Sequence, residues 1–203
     1  MEKRKTTHGG DAHHPGSRRK EKKGGFKKAY KTEFEEKVIK AKRISKTTKG
    51  GRQSRAWVLV VVGNKKGKVG FGIGKSKEFQ DAIKKAVKRA MKDLVKVSMN
   101  SKRTIFHEYL GKHGASKVLV KPAKPGTGII AGGAIKTVLE LAGYTDIYSK
   151  NLGSNTAMNM IRATLKALQE QRSPSYISRL RDKTFEELFH LNESENEKQT
   201  NKE

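Results

Sequence analysis

The chain has no cysteine. That excludes disulfide frameworks, thiolate metal sites and cysteine nucleophiles, and it fits a reducing cytosol. Aromatic residues are scarce, at 6%. No strand therefore carries the paired aromatic platform on which single-stranded bases stack. Long apolar runs are missing as well. The longest runs from Ala56 to Val62 and closes at Gly63, far short of the roughly 20 residues of a membrane span. The segment Met1 to Gly25 has no apolar stretch and does not read as a secretory signal, so no membrane partner is expected. Carboxylates are few and fall mostly on predicted helices or in the C-terminal tail. A catalytic acid pair is not expected, and His107, His113 and His190 are scattered without a readable Ser/His/Asp pattern.

What the chain has instead is positive charge. It holds 46 Lys+Arg against 20 Asp+Glu, a formal net charge of +26 in 203 residues. Such a chain repels itself unless something anionic neutralises it. The cations run through the patterned segments as well as the tail, so an extended polyanion, nucleic acid, is the expected partner. With 33% hydrophobic residues there is material for small cores and one or two domains.

Residues 1–32 are rich in Lys, Arg, Gly and His and read as a disordered basic tail. His8, His13 and His14 lack the Cys or acidic partners of a metal site, so no metal and no cofactor is expected. Order is expected from Phe34. Val38, Ile39 and Ile44 predict a polar strand, Arg55 to Val62 a strand buried on both faces, and Val69 to Ile73 a third strand. Gly63-Asn64-Lys65-Lys66-Gly67 is a hairpin turn. Phe79, Ile83, Ala86, Val87, Ala90, Met91, Leu94 and Val95 keep helical spacing, with Ser76 as the expected N-cap. Residues 33–98 thus read as three antiparallel strands packed on one helix. A second β/α unit follows over 99–173. It has strands at Arg103 to Leu110 and Ser116 to Lys121, a tight loop at 122–128, a helix from Ile129 to Leu141 closed by Gly143, and a strand at Asp146 to Ser149. A second helix runs over Asn155 to Gln171. Residues 174–203 read as a helical extension with Pro174 at its first position, a capping box at Thr184 to Glu187, and a frayed end. The fold class is α+β.

Three glycine-rich stretches invite a site. Gly74-Lys75-Ser76 resembles the end of a phosphate loop, but the glycine required five residues earlier is Val69. The better reading is a strand thinned for close backbone approach, with Lys75 and Lys77 touching phosphates. Gly126-Thr127-Gly128, followed by Gly132-Gly133, sits where a strand hands over to a helix and suits an anion. A tight turn with close helix packing carries most of the weight there, and the alternative is a small-molecule kinase loop. Lys46-Thr47-Thr48-Lys49-Gly50-Gly51-Arg52 is the strongest RNA-contact loop, because glycines let backbone lie against phosphate while three cations and two hydroxyls donate. Arg55, Lys65, Lys66 and Lys68, with Lys121 and Lys124 beside the Gly126 loop, complete the candidate RNA contacts.

Four stretches together resemble the bacterial small-subunit ribosomal protein S-five family. They are Arg43 to Arg52, Val69 to Lys75, Pro125 to Gly133, and Gly153-Ser154-Asn155-Thr156. The resemblance runs from about Phe34 to about Phe189. It implies a double-stranded-RNA-binding-like first domain and a second domain of the S-five domain 2-like type, shared with the small-molecule kinases without their chemistry. It further implies binding to 16S rRNA where head and body of the subunit meet, with a role in stabilising the head and in decoding accuracy. The implied neighbours are proteins S-four and S-eight, with S-three around the channel by which mRNA enters. The loop at 45–52 would reach toward the head, near where spectinomycin binds. Gly111, Lys112, His113, Gly114, Ala115, Ser116 and Lys117 would face S-four. Against this stand two rivals, a kinase and a free-standing regulator that binds RNA duplex.

Overall fold

A computed structural model describes residues 33–182. The predicted tail at 1–32 and the final helix after Thr184 lie outside the described residues. The chain order is β1 (Glu35–Thr48), β2 (Gly51–Gly63), β3 (Lys68–Ser76), α1 (Phe79–Lys92), β4 (Leu94–Lys96), β5 (Tyr109–His113), β6 (Ser116–Pro122), β7 (Ile129–Ile130), α2 (Gly133–Ala142), β8 (Ile147–Asn151), α3 (Ala157–Gln169) and α4 (Pro174–Arg181). Two four-stranded sheets result, β1-β2-β3-β4 and β5-β6-β8-β7. The first is antiparallel throughout, and in the second β7 runs parallel to β8.

β2 explains how the molecule is built. Val58, Leu59, Val60, Val61 and Val62 are all fully buried, so both faces of the strand are covered. Ala56, Val58, Val60 and Val62 pack with Ala82, Ala86 and Ala90 of α1. The alternate residues Leu59 and Val61 join a second cluster with Val69, Ile135, Val138, Leu139, Ile161 and Leu168. One sheet therefore serves two cores, and the second is shared with α2 and α3. The turn between β2 and β3 reinforces the joint: Lys65 N–H donates to Leu141 C=O at 2.9 Å and Gly67 N–H to Ala142 C=O at 2.9 Å.

Several elements differ from the sequence expectation. A fourth strand, β4, completes the first sheet. Leu94 and Val95 belong to it, because α1 ends at Lys92 and the chain turns back to pair with Lys68, Val69 and Gly70. The buried stripe of α1 is Ala82, Ala86 and Ala90, while the larger Ile83, Val87 and Met91 pack at its edge. Small residues win because three glycines of β3 lie directly beneath. A Cβ on Gly70, Gly72 or Gly74 would meet Ala90, Ala86 or Ala82 backbone oxygen at 2.5, 2.1 and 1.9 Å, which is the close backbone approach expected of a glycine-thinned strand. Ser76 is the last residue of β3 and not a cap; Glu78 holds the N-cap position without a side-chain bond.

In the second unit the strand expected over 103–110 starts only at Tyr109. Arg103 has a left-handed φ of 52°, and the chain loops while Ile105 plugs the core. The helix expected from Ile129 starts at Gly133, because Ile129–Ile130 is drawn into the sheet beside Ile147 and Tyr148. Gly143 closes α2 at φ 101°, its N–H bonding Leu139 and Glu140 carbonyls. Pro174 lies in the first turn of α4, as expected, and Ser173 caps that helix through its hydroxyl.

Candidate nucleic-acid interface

β1 and β2 are longer than the sheet they start. β3 pairs with β2 only from Ala56 onward, so residues 44–48 and 51–55 pair with each other alone. They form a two-stranded ribbon reaching about 17 Å past the sheet, at about 3.4 Å per residue. Apart from the half-buried Thr48, both strands of it are exposed. Residues 41–55 contain Lys42, Arg43, Lys46, Lys49, Arg52 and Arg55 and no carboxylate. The predicted loop at 46–52 is thus mostly strand. Only Lys49-Gly50 turns, Gly51 takes φ 121°, and the Thr48 hydroxyl donates to Gly51 C=O at 2.9 Å. Opposite residues share a face of a ribbon. Ile44 and Arg55, then Lys46 and Gln53, occupy one face; Ser45 and Ser54, then Thr47 and Arg52, the other. On that second side Arg43 lies over the Phe79 ring at 6.0 Å, which fixes the ribbon's base against α1.

The remaining candidate residues divide. Lys75 and Lys77 sit near the ribbon's base, grouped with Arg55 and Lys85 around a hollow that Glu78 and Asp81 also line. Lys84, Lys88, Arg89 and Lys92 line the exposed side of α1. Lys65, Lys66 and Lys68 lie at the opposite end of β2, roughly 40 Å from the tip for a strand of 13 residues. Lys65 is tied to Glu35 at 2.6 Å. Lys121 pairs with Glu108 at 3.0 Å.

The Gly126 loop is already filled. Asp146 is buried, and its Oδ1 accepts from Gly128 N–H at 2.8 Å while Oδ2 accepts from the Thr145 hydroxyl at 2.9 Å. The Gly128, Thr145, Gly126 and Thr127 donors hold its carboxyl below the ordinary value of 3.8, against burial, which pushes it up. Two loop amides that a nucleotide phosphate would need are already taken, Gly128 N–H by the Asp146 carboxylate and Thr127 N–H by Lys124 C=O at 3.2 Å.

Of the residues expected at a protein neighbour, Gly111 and Ser116 are buried. Gly111 lies so close to α3 that a Cβ would meet Ala163 C=O at 2.2 Å, and the Ser116 hydroxyl donates to Ser154 C=O at 2.7 Å. Lys112, Gly114, Ala115 and Lys117 are exposed and His113 half-buried. Sequence reasoning missed a row of apolar side chains on the open face of the second sheet. Leu110 (37%), Tyr148 (42%) and Ile130 (53%) are exposed; Leu119 stands opposite Leu110 and Ile130 opposite Tyr148, with Lys150 and Lys121 interleaved on the same face. Period-two alternation in these short strands was the available signal.

Two family models match the chain, ribosomal protein S5 N-terminal domain over residues 34–98 and ribosomal protein S5 C-terminal domain over 111–181. The small ribosomal subunit protein uS5 of Malacoplasma penetrans is 58% identical over 158 residues, 78% of this chain and 68% of the relative. This chain belongs to the ribosomal protein S5 family. The uS5 proteins of Mycoplasma pneumoniae (57% over 162 residues, 80% of this chain and 74% of the relative) and Ureaplasma urealyticum (58% over 155 residues, 76% of each) are similarly close. Membership makes the chain a structural, non-enzymatic protein, in keeping with a glycine loop closed by Asp146.

Proposed function

We propose that the chain is a structural constituent of the small ribosomal subunit in the cytoplasm, clamping folded 16S rRNA where head and body meet. The observation that carries this reading is the β1–β2 ribbon. Four cations, Lys46, Lys49, Arg52 and Arg55, stand without a carboxylate on a projection that pairs with no further strand among the described residues, and a two-stranded ribbon of this kind gains order from the surface it docks on. Its cations displace counterions from crowded phosphates, and the Gly50-Gly51 backbone approaches where side chains would clash. We read 33–98 as a double-stranded-RNA-binding-like unit, 99–173 as the family's second fold, and 174–203 as its extension.

Neighbouring proteins take the other exposed features in this reading. The 112–117 hairpin and the apolar row from Leu110 to Ile130 offer surfaces to S-four and S-eight, with S-three nearby where mRNA enters. Stabilising the head and contributing to decoding accuracy follow if the S-four contact forms in one state of the subunit and opens in another. A free-standing duplex-binding regulator would use the first unit and leave the second, which shares its core, without a job.

The test replaces Lys49 and Arg52 by Ala. Both are exposed, so folding is unaffected. Affinity for 16S rRNA should fall, and the slope of log affinity against log salt should flatten by about 1.5, at roughly 0.7 to 0.9 per phosphate contact. Spectinomycin response should shift. An unchanged slope with unchanged incorporation into subunits would overturn the reading.

A further inference from the structure

The chain has a single tryptophan, and its placement is unusual for a core aromatic. Trp57 is half-buried in β2. Lys42 of β1 stands directly opposite it on one side, and Lys75 of β3 directly opposite on the other. Directly opposite residues share a sheet face, so an indole lies between two ammonium groups whose strands are roughly 10 Å apart, at about 4.8 Å per strand. Lys40 and Ile44 flank this row along β1, and Met158 at the start of α3 closes it into a groove of ≈ 450 Å³.

The lining contains three lysines and no carboxylate. None of the three forms an ion pair among the described residues. The described cation–π contacts use Arg43 with Phe79 and Arg162 with Phe71, so the indole face is not taken by its flanking lysines. An apolar floor of Ile44, Trp57 and Met158 beneath a cationic rim matches a ligand that is flat and apolar in the middle and anionic at its ends.

We propose that this groove holds one unpaired RNA nucleotide, its base against Trp57 and its flanking phosphates on Lys42 and Lys75. The proposal rests on the rRNA-binding reading above and gives the interface a second mode. The ribbon neutralises phosphates, while the groove takes a base out of the stack. Base–aromatic stacking tolerates any base because every base has a π-face, so the site selects for unpaired structure and not for sequence.

Because Trp57 is the only tryptophan, its fluorescence in the full-length protein reports this groove alone. A hexamer of adenylate should quench it. An abasic ribose-phosphate hexamer of equal charge should require at least about tenfold more to bind and should quench little. Adenosine monophosphate should quench only at far higher concentration, having one phosphate in place of two. The double variant Lys42→Gln, Lys75→Gln, altered at two exposed positions, should raise the half-quenching concentration of the hexamer by about tenfold. Equal quenching by the abasic hexamer, quenching by the mononucleotide as strong as by the hexamer, or an unchanged double variant would each overturn the proposal. Absence of quenching while the wild-type protein still binds 16S rRNA would remove the groove and leave the clamp standing; loss of both would remove both.

Discussion

Replacing Gly72 by Ala tests the packing of sheet on helix at the middle of the Ala82-Ala86-Ala90 stripe. The added Cβ would lie 2.1 Å from Ala86 C=O and 2.6 Å from Ala90 N. Both are backbone atoms and cannot swing aside. Helix α1 would have to withdraw by roughly 1 Å, and a gap of that size forfeits about a quarter to a half of each dispersion contact along the Ala82-Ala86-Ala90 stripe. Overpacking of a filled core costs about 1–3 kcal/mol. A stiffer unfolded chain returns about 0.4–1 kcal/mol, since Gly72 has no positive φ that Ala would resist. A net loss of about 1.3 kcal/mol follows. Gly50→Ala is the control: nothing lies within 4 Å of its Cβ position and its φ is not positive, so it should be neutral or slightly stabilising. Urea unfolding followed by Trp57 fluorescence measures both. A Gly72→Ala variant within about 0.5 kcal/mol of wild type, no worse than surface substitutions in general, would refute the argument that these glycines exist for helix approach.

Because the second face of the first sheet shares its core with α2 and α3, the described domains should unfold together; two resolved urea transitions by circular dichroism and Trp57 fluorescence would contradict a shared core. Asp146→Asn should lower the urea midpoint at pH 7, since the Gly128 and Thr145 donors favour the charged carboxylate. The Asp146 carboxyl is depressed in the folded state, so its contribution is present above the unfolded value near 3.8 and is lost as pH falls through the lower folded value. Wild type and variant should therefore converge in acid, and a constant gap from pH 7 to below 3 would refute the role given to that carboxyl.

Much of the fold was legible where a local signal was strong. The apolar run at 56–62 marked the doubly covered strand, and turn chemistry at Gly63-Asn64 and Gly143 marked the breaks that occur. The glycines at 70, 72 and 74 were correctly read as close approach. What sequence could not show was tertiary. The edge strand β4 exists because Leu94 and Val95 find a partner in β3, and the same spacing continues a helical pattern on paper. Ile129–Ile130 is strand because Ile147 and Tyr148 stand beside it. For the interface, the cations at 46–52 were visible, but their presentation on a projecting ribbon needed the register of β2 against β3. Asp146 lies far from the Gly126 loop in sequence, so no spacing could reveal that the loop was filled. The pairing of Lys42 and Lys75 about Trp57 likewise exists only across strands.

A cationic surface docked on rRNA would hold the chain in the small subunit. Sedimentation of a cell extract on a density gradient after a high-salt wash tests it most directly, with fractions probed for this chain. One copy per small subunit should remain after the wash, because many simultaneous phosphate contacts and shape-matched docking outlast screening of any single pair. Recovery at the top of the gradient, with small subunits otherwise intact, would contradict it.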